Sequence, residues 1–178
     1  MMCSMLRTAY TVLLVGMLGF LLAACGGDAS DTSATDNESS SEQTEQTEQS
    51  SEVDRELTLQ PKGNQMKYAT TELTAQAGET VRLVFENVAE SPSMVHNVVI
   101  LNTTDDEVVE RVGMAGQSAG QSAGYIPDDD AIIAHTDLAQ PGETVEVTFT
   151  APEDPGEYTY VCTYPGHWAI MQGTLVVE

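Results

Sequence analysis

The chain has 178 residues, of which 28 are acidic and 6 are lysine or arginine, so its formal net charge at neutral pH is −22. Nucleic-acid backbones and anionic lipid headgroups repel such a chain, and we expect neither nucleic-acid binding nor electrostatic docking on anionic membranes. Apolar residues make up 41% of the sequence, enough for one packed domain with accessory segments. The acidity itself is compatible with a saline habitat and with a basic partner.

Residues 1–24 have the features of a secretory signal peptide. Arg7 precedes an apolar stretch of sixteen residues, 9–24, which is shorter than the about 20 residues that a membrane-spanning helix needs. The stretch leads into Leu-Ala-Ala-Cys, ending at Cys25, and two glycines follow. This resembles the lipobox of bacterial lipoproteins, although a secretory signal with a chance cysteine is the alternative. The resemblance implies a lipid on Cys25 and an extracytoplasmic location, anchored to a bacterial membrane on its periplasmic or outer face.

Residues 25–54 comprise this cysteine and an acidic linker. Residues 26–54 hold nine acidic residues and no lysine or arginine, mixed with Ser, Thr, Gln and Gly. Such a composition cannot bury enough apolar surface to offset the loss of chain entropy. We therefore predict that the linker is disordered.

From Arg55 to the end, residues 55–178, the pattern predicts an all-β domain. Residues 80–86 and 143–149 alternate apolar and polar side chains, which is typical of half-buried antiparallel strands. Glycine and proline breakers separate further candidate strands, at 56–60, 65–75, 94–102, 131–135, 157–163 and 172–177. Eight short strands in one domain of this length favour a Greek-key β-sandwich.

One short inserted helix interrupts the strands. Thr104 can cap it, and Glu107 can complete a capping box. Its apolar face consists of valines, namely Val108, Val109 and Val112. Gly113 is the predicted end of the helix, and residues 116–124, which repeat Gln-Ser-Ala-Gly, predict a flexible loop without chemistry.

The C-terminal segment carries three potential metal ligands, Cys162, His167 and Met171, in the spacing Cys-x4-His-x3-Met. The cysteine ends a predicted strand, a Pro-Gly turn follows, and the methionine begins the next strand. One tight loop can therefore direct all three side chains to one point. His96, within an otherwise apolar strand, can supply a fourth ligand.

This set of ligand types favours copper. Singly, each residue is more often a structural core residue, but their joint spacing favours a metal site. Two imidazoles and a thiolate, with a weakly bound thioether, are typical of blue-copper electron-transfer sites. Structural zinc sites prefer four nitrogen or sulfur ligands without methionine. Because the methionine closes the position that a catalytic copper would leave open, we expect neither enzymatic activity nor a small-molecule substrate.

The domain resembles azurin and its auracyanin relatives, blue-copper proteins of the cupredoxin family. Four stretches within residues 56–178 carry the likeness: 63–66, 94–97, 127–136 and 162–175. The resemblance implies an eight-stranded sandwich that holds one type 1 copper ion. It implies four metal ligands, namely His96, Cys162, His167 and Met171.

The resemblance also implies roles around these ligands. Asn97 and Thr163 would tie the two ligand-bearing segments together, and backbone N–H groups of Asn97 and Tyr164 would donate to the cysteine sulfur. An apolar electron-transfer patch would surround His167, made of Met66, Met94, Pro165, Gly166 and Trp168. Azurin has a glycine where this chain has Val95, which speaks against a fifth contact to the metal, and azurin's disulfide is missing. The third histidine, His135, is not expected to be a ligand.

The function implied is that of a single-electron carrier cycling between Cu(I) and Cu(II). Its partners would be redox proteins such as a cytochrome c or a membrane oxidase or reductase complex. A copper chaperone or storage lipoprotein is the alternative, and a metal-free adhesion or sensory sandwich is a second one. Chaperones usually need exposed, exchangeable ligands, whereas a closed loop with the cysteine between strands favours retention of the metal.

Overall fold

The computed structural model describes residues 52–178, so the predicted signal peptide, Cys25 and most of the linker lie outside the described residues. The described chain contains eight β-strands and one α-helix. In chain order these are β1 (Arg55–Leu59), β2 (Glu72–Ala75), β3 (Thr80–Glu86), β4 (Val99–Leu101), α1 (Asp106–Ala119), β5 (Ile132–His135), β6 (Thr144–Thr150), β7 (Gly156–Val161) and β8 (Gln172–Val177). Within residues 52–178, no helix has the length and apolar character that crossing a membrane requires.

The strands form two sheets, one ordered β1-β3-β6 and the other β2-β8-β7-β4-β5. The predicted all-β sandwich with one inserted helix is thereby confirmed. The two stretches expected to be antiparallel strands form β3 and β6, which pair antiparallel with each other. β1 runs parallel to β3 and β2 runs parallel to β8, pairings for which the sequence predicted no direction. Alternation of apolar residues reports that one face of a strand is buried, and it carries no information about the direction of the neighbouring strand.

The main core lies between the two sheets. Strand β3 turns Val81, Leu83 and Phe85 inward, and all three are buried. Cys162 and Met171 belong to the same apolar cluster. Two of the predicted metal ligands are therefore fixed by the packing of the sandwich itself.

Strand β4 and the end of β7 are buried on both faces. Val98 and Ile100 pack into the sandwich, whereas Val99 and Leu101 join a second apolar cluster beneath α1. Val161 also belongs to this second cluster. Burial on both faces accounts for the unbroken apolar run in the β4 region. Cys162, which directly follows β7, packs on the sandwich side.

Two predicted strands are shorter in the structure. Only Glu72–Ala75 of the candidate 65–75 is a strand, because tight turns precede it, with the N–H of Lys62 donating to the carbonyl of Lys67 at 2.8 Å. Only Val99–Leu101 of the candidate 94–102 is a strand. His96 lies outside this strand and forms an isolated antiparallel β-bridge with Ala139.

Both predicted ends of the helix were wrong. Asp105, not Thr104, is the N-cap, and its carboxylate accepts the N–H of Glu107 at 2.8 Å. The helix continues through Gly113 and ends before Gly120, which has a φ of 78°. The predicted flexible loop at 116–124 therefore consists of the last helical turn and a 3-10 turn, Gln121–Ala123.

Candidate metal centre

Three buried side chains bring their ligand atoms together. The Nδ1 atoms of His96 and His167 are 3.2 Å apart, and the Sγ atom of Cys162 lies 3.8 Å and 3.6 Å from these two nitrogens. Donors bound at about 2.0–2.3 Å in a trigonal plane are separated from one another by about 3.5–3.8 Å. Both sulfur–nitrogen distances lie in this range and the nitrogen–nitrogen distance of 3.2 Å is slightly shorter, so the three atoms are close enough together to bind a single ion.

Met171, the fourth predicted ligand, is fully buried at the foot of the same loop. Its N–H donates to the carbonyl of His167 at 2.9 Å, and its carbonyl accepts the N–H of Cys162 at 3.0 Å. These two bonds close the loop on itself. The backbone thus holds Met171 next to the residues that carry the other loop ligands.

Burial keeps both imidazoles neutral. Desolvation, and secondly the neighbouring His167, lowers the pKa of His96 to about 4, and desolvation also lowers the pKa of His167. Each ring therefore has one nitrogen lone pair available at pH 7. The Nε2 atom of His96 is buried and has no hydrogen-bond partner within residues 52–178. The other ring nitrogen, Nδ1, faces the donor atoms of His167 and Cys162.

The cysteine thiol is held protonated while no metal neutralises it. Burial raises the pKa of Cys162 to about 12, although two backbone N–H groups, of Asn97 and Tyr164, point at its sulfur and favour the thiolate. These are the two donors that the resemblance implied. A buried thiol beside two neutral imidazoles fits a soft cation, which supplies the positive charge that the thiolate needs.

The backbone of His96 is fixed by the segment around Ala139. The N–H of His96 donates to the Ala139 carbonyl at 3.2 Å, and the Ala139 N–H donates back at 2.8 Å. The side-chain amide of Asn87 donates to the carbonyls of both Met94 and Ala139. The ring of Phe85 meets the imidazole edge-on at 6.4 Å. The histidine is thus positioned by residues from two other segments, one around Phe85 and Asn87 and one at Ala139.

Asn97 ties the two ligand-bearing segments together. Its side-chain nitrogen donates to Thr163 Oγ1 at 2.9 Å and to the Gly124 carbonyl at 3.0 Å. Its side-chain oxygen accepts the N–H of Thr163 at 2.9 Å. The residue after His96 and the residue after Cys162 are therefore linked in both directions.

Sequence reasoning missed Tyr68. Its hydroxyl donates to the carbonyl of Asn97 at 2.8 Å, and its ring packs against Phe85 and Tyr160. Because this tyrosine fell inside a segment predicted to be a strand, its buried hydroxyl gave no separate signal. It thereby fixes the backbone carbonyl of Asn97.

The two imidazoles differ in their access to solvent. His96 is fully buried, whereas His167 keeps 4% of its surface exposed. Just before it in the chain, Pro165 is partly exposed and Gly166 is exposed. Of the two methionines of the predicted patch, Met66 is exposed and Met94 is partly exposed. The side-chain oxygen of Asn64 accepts the N–H groups of Glu90 and Ser91, so the turn that carries Met66 is tied to the one that leads to Met94.

Two further residues, Trp168 of the predicted patch and His135, have other contacts. Trp168 is only partly exposed and packs with the apolar cluster beneath α1, so its ring contacts the helix. His135 is exposed at the end of β5, and it is not among the residues whose ligand atoms converge.

Two histidines and a cysteine that are buried and bring their ligand atoms together are a donor set that suits one copper ion. Residues 55–178 match the copper binding proteins of the plastocyanin/azurin family. The chain is 42% identical to auracyanin-A of Chloroflexus aurantiacus over 174 residues, which cover 97% of this chain and 98% of the relative. It is 35% identical to an azurin of Pseudomonas aeruginosa over 130 residues, covering 69% of this chain and 86% of the relative.

Solved structures of auracyanins also match this chain. The structure of auracyanin A from Chloroflexus aurantiacus, described as a "blue" copper protein, superimposes with a TM-score of 0.65 at 43% identity, covering 69% of this chain and 98% of that one. An auracyanin from Roseiflexus castenholzii gives a TM-score of 0.64 at 33% identity, covering 69% of this chain and 96% of that one. The chain therefore belongs to the plastocyanin/azurin family and is a blue-copper protein of the cupredoxin type, with copper as its cofactor.

Copper uptake at pH 7 is expected to release about one proton per ion, because the thiol of Cys162 is the one ligand group that must lose a proton to bind the metal. The two imidazoles are neutral at that pH and add nothing. Calorimetric titration with Cu(I) in buffers of different ionisation enthalpy measures the number. Wild type should release one proton more than Cys162→Ser. Equal release from the two proteins would mean that the thiol is not the proton source.

Proposed function

We propose that the chain is a single-electron carrier that holds one type 1 copper ion through His96, Cys162, His167 and Met171. The convergence of two imidazole nitrogens and one thiol sulfur within 4.8 Å, all in buried residues, is the observation that carries this proposal. When bound, the copper supplies a centre that gains or loses one electron between Cu(I) and Cu(II). The protein's part is to hold the ligands in one arrangement and to exclude water.

The packing of the ligands supports rapid electron exchange. His96, Cys162 and Met171 are fully buried, and Asn97 and Ala139 fix the segments that carry them. Side chains held in this way have little freedom to rearrange when the charge of the site changes by one. Burial also opposes the alternative of a copper chaperone, since ligand exchange with a partner would require the cysteine to be exposed.

Copper loading tests the proposal directly. The loaded protein should absorb intensely in the visible range, because a thiolate bound to Cu(II) gives a charge-transfer band, and ascorbate should bleach the colour reversibly. A colourless copper complex, or a colour that reducing and oxidising agents leave unchanged, would refute the proposed electron carrier.

A second part of the proposal concerns location. We infer that lipid on Cys25 tethers the domain to the extracytoplasmic face of a bacterial membrane, on its periplasmic or outer face. Two or more acyl chains suffice for stable anchoring, so Cys25→Ser should move the protein from the membrane fraction to the soluble one or block its maturation. Mass spectrometry of the N-terminal peptide from membranes is the measurement. A wild-type protein that is soluble and starts downstream of Cys25 would disprove the tether.

A third part concerns the docking surface. We infer that partners approach through an apolar patch next to His167, formed by Met66, Met94, Pro165, Gly166 and Trp168. Apolar contact lets a partner come close without the desolvation of charges.

The charge of the domain favours one kind of partner. Residues 55–178 carry 19 acidic and 5 basic residues, a formal net charge of −14. Three of those bases, Arg55, Arg82 and Arg111, already pair with acids in the structure. The remaining negative field favours basic partners such as a cytochrome c, or a membrane oxidase or reductase complex.

Electron transfer with a basic cytochrome c should slow as salt rises, since the Debye length falls from about 10 Å at 0.1 M to about 3 Å at 1 M. Met94→Lys should slow transfer even at high salt, because it places a charge in the apolar patch. Met114→Lys, the same change at an exposed methionine of α1, is the control and should transfer at the wild-type rate. A flat salt profile would exclude steering, and equal rates for the two lysine variants would exclude the patch.

A further inference from the structure

The three residues that directly follow the three convergent ligands all contact one segment of the chain. This segment, residues 106–124, comprises α1 and the 3-10 turn after it, and is called here the support segment. Asn97 follows His96 and donates to the Gly124 carbonyl at 3.0 Å. Thr163 follows Cys162 and packs on Gly116, and Trp168 follows His167 and packs on Gly113.

The contacts on the helix are as close as glycine permits. A Cβ atom added to Gly113 would lie 2.3 Å from Cγ of Trp168. One added to Gly116 would lie 3.2 Å from Cβ of Thr163 and 2.6 Å from the carbonyl oxygen of Tyr125. Glycine inside a helix costs about 1 kcal/mol relative to alanine. The helix carries two such residues on one face, three positions apart, where the metal-binding loop approaches it.

The Gln-Ser-Ala-Gly repeat forms the outer end of this support. Its first copy completes α1, and its second forms the 3-10 turn that ends at Gly124. The next residue, Tyr125, has a φ of 58°, the one positive φ outside glycine among residues 52–178. Its ring meets Tyr164 at 5.2 Å, and Tyr164 in turn lies 4.9 Å from the ring of His167. Tyr125, whose backbone is strained, thus packs on the part of the loop between Cys162 and His167.

We propose that the support segment positions the copper ligands, acting through Asn97, Thr163 and Trp168. Gly113 and Gly116 set the distance between α1 and the loop that runs from Cys162 to Met171. Neither glycine binds the metal, so both are positioning residues. This inference rests on the ligand assignment of the proposed function.

The test uses copper-loaded, full-length protein with Gly113→Ala and Gly116→Ala, and Gly156→Ala as the matched control. At Gly156 an added Cβ would meet nothing closer than 3.9 Å. We expect both helix variants to shift the visible absorption band and the electron paramagnetic resonance spectrum. We also expect them to weaken copper affinity by about 10- to 100-fold, the usual effect of disturbing groups that orient ligands. The control should match wild type in every measurement.

A purely structural role of the glycines would lower stability and leave the spectra and the affinity unchanged. That result for folded helix variants would overturn the inference, while a wild type that never turns blue would overturn the proposed function instead. Trp168→Ala covers the case in which Gly113→Ala does not fold, because it removes the contact without adding volume. It too should shift the spectra, and a Trp168→Ala protein with the wild-type band and affinity would count against the support segment.

Discussion

Cys162→Ser is expected to abolish the blue colour completely. A serine hydroxyl has a pKa far above that of a thiol, is a hard ligand, and cannot give the sulfur-to-copper charge transfer that makes such sites blue. The two backbone N–H groups that point at the sulfur would remain, but without a thiolate to stabilise. Absorption spectra and copper content after dialysis against a chelator are the measurements.

Met171→Leu serves as the comparison for this change, since it would remove the proposed thioether ligand and keeps the buried volume nearly constant. It should stay blue, and its reduction potential should rise because Cu(II) loses a donor. A Cys162→Ser protein that stayed blue would mean that the ligand assignment is wrong. A Met171→Leu protein with an unchanged potential would remove the methionine from the ligand set.

Asn97→Ala is expected to lower the free energy of unfolding of the metal-free protein by about 3–5 kcal/mol. The change removes three hydrogen bonds and leaves the buried N–H of Thr163 without a partner. Each buried group left unsatisfied costs about 1–3 kcal/mol. Urea unfolding of metal-free wild type and variant, followed by far-ultraviolet circular dichroism, gives the difference.

Thr163→Val is the matched control for that prediction. It removes one of the three bonds, to Oγ1, and keeps the backbone N–H of residue 163 paired with Asn97. Its cost should be about 1 kcal/mol. Similar losses for the two variants would show that the Asn97 network is not what joins the ligand segments.

The strands most readily predicted from sequence were β3 and β6. Each buries one face, so Val81, Leu83 and Phe85 alternate with polar residues, as do Val145, Val147 and Phe149. The direction of β1 and β2 was not predictable in this way, because pairing partners far along the chain decide it.

The candidate site was predictable to the extent that chemistry restricts residue type. A thiolate, an imidazole and a thioether at this fixed spacing seldom occur together outside a metal site, and the structure brings His96, Cys162 and His167 together. The surrounding positions were harder. Gly113 was predicted to end the helix because the local sequence does not show that Trp168 packs on it. Tyr68 was missed because only the fold reveals that its hydroxyl reaches the backbone of Asn97.

The burial of Cys162 has a consequence for the protein before it receives copper. Its thiol is inaccessible to solvent, and burial raises its pKa to about 12, so the protonated thiol is the dominant form at pH 7. Because oxidants and alkylating agents attack the thiolate, such a cysteine resists conversion to a sulfenic acid or a mixed disulfide. It is also the one cysteine among residues 52–178, so no neighbouring thiol there can form a disulfide with it. The fold thereby preserves the ligand in its reduced form until the metal arrives.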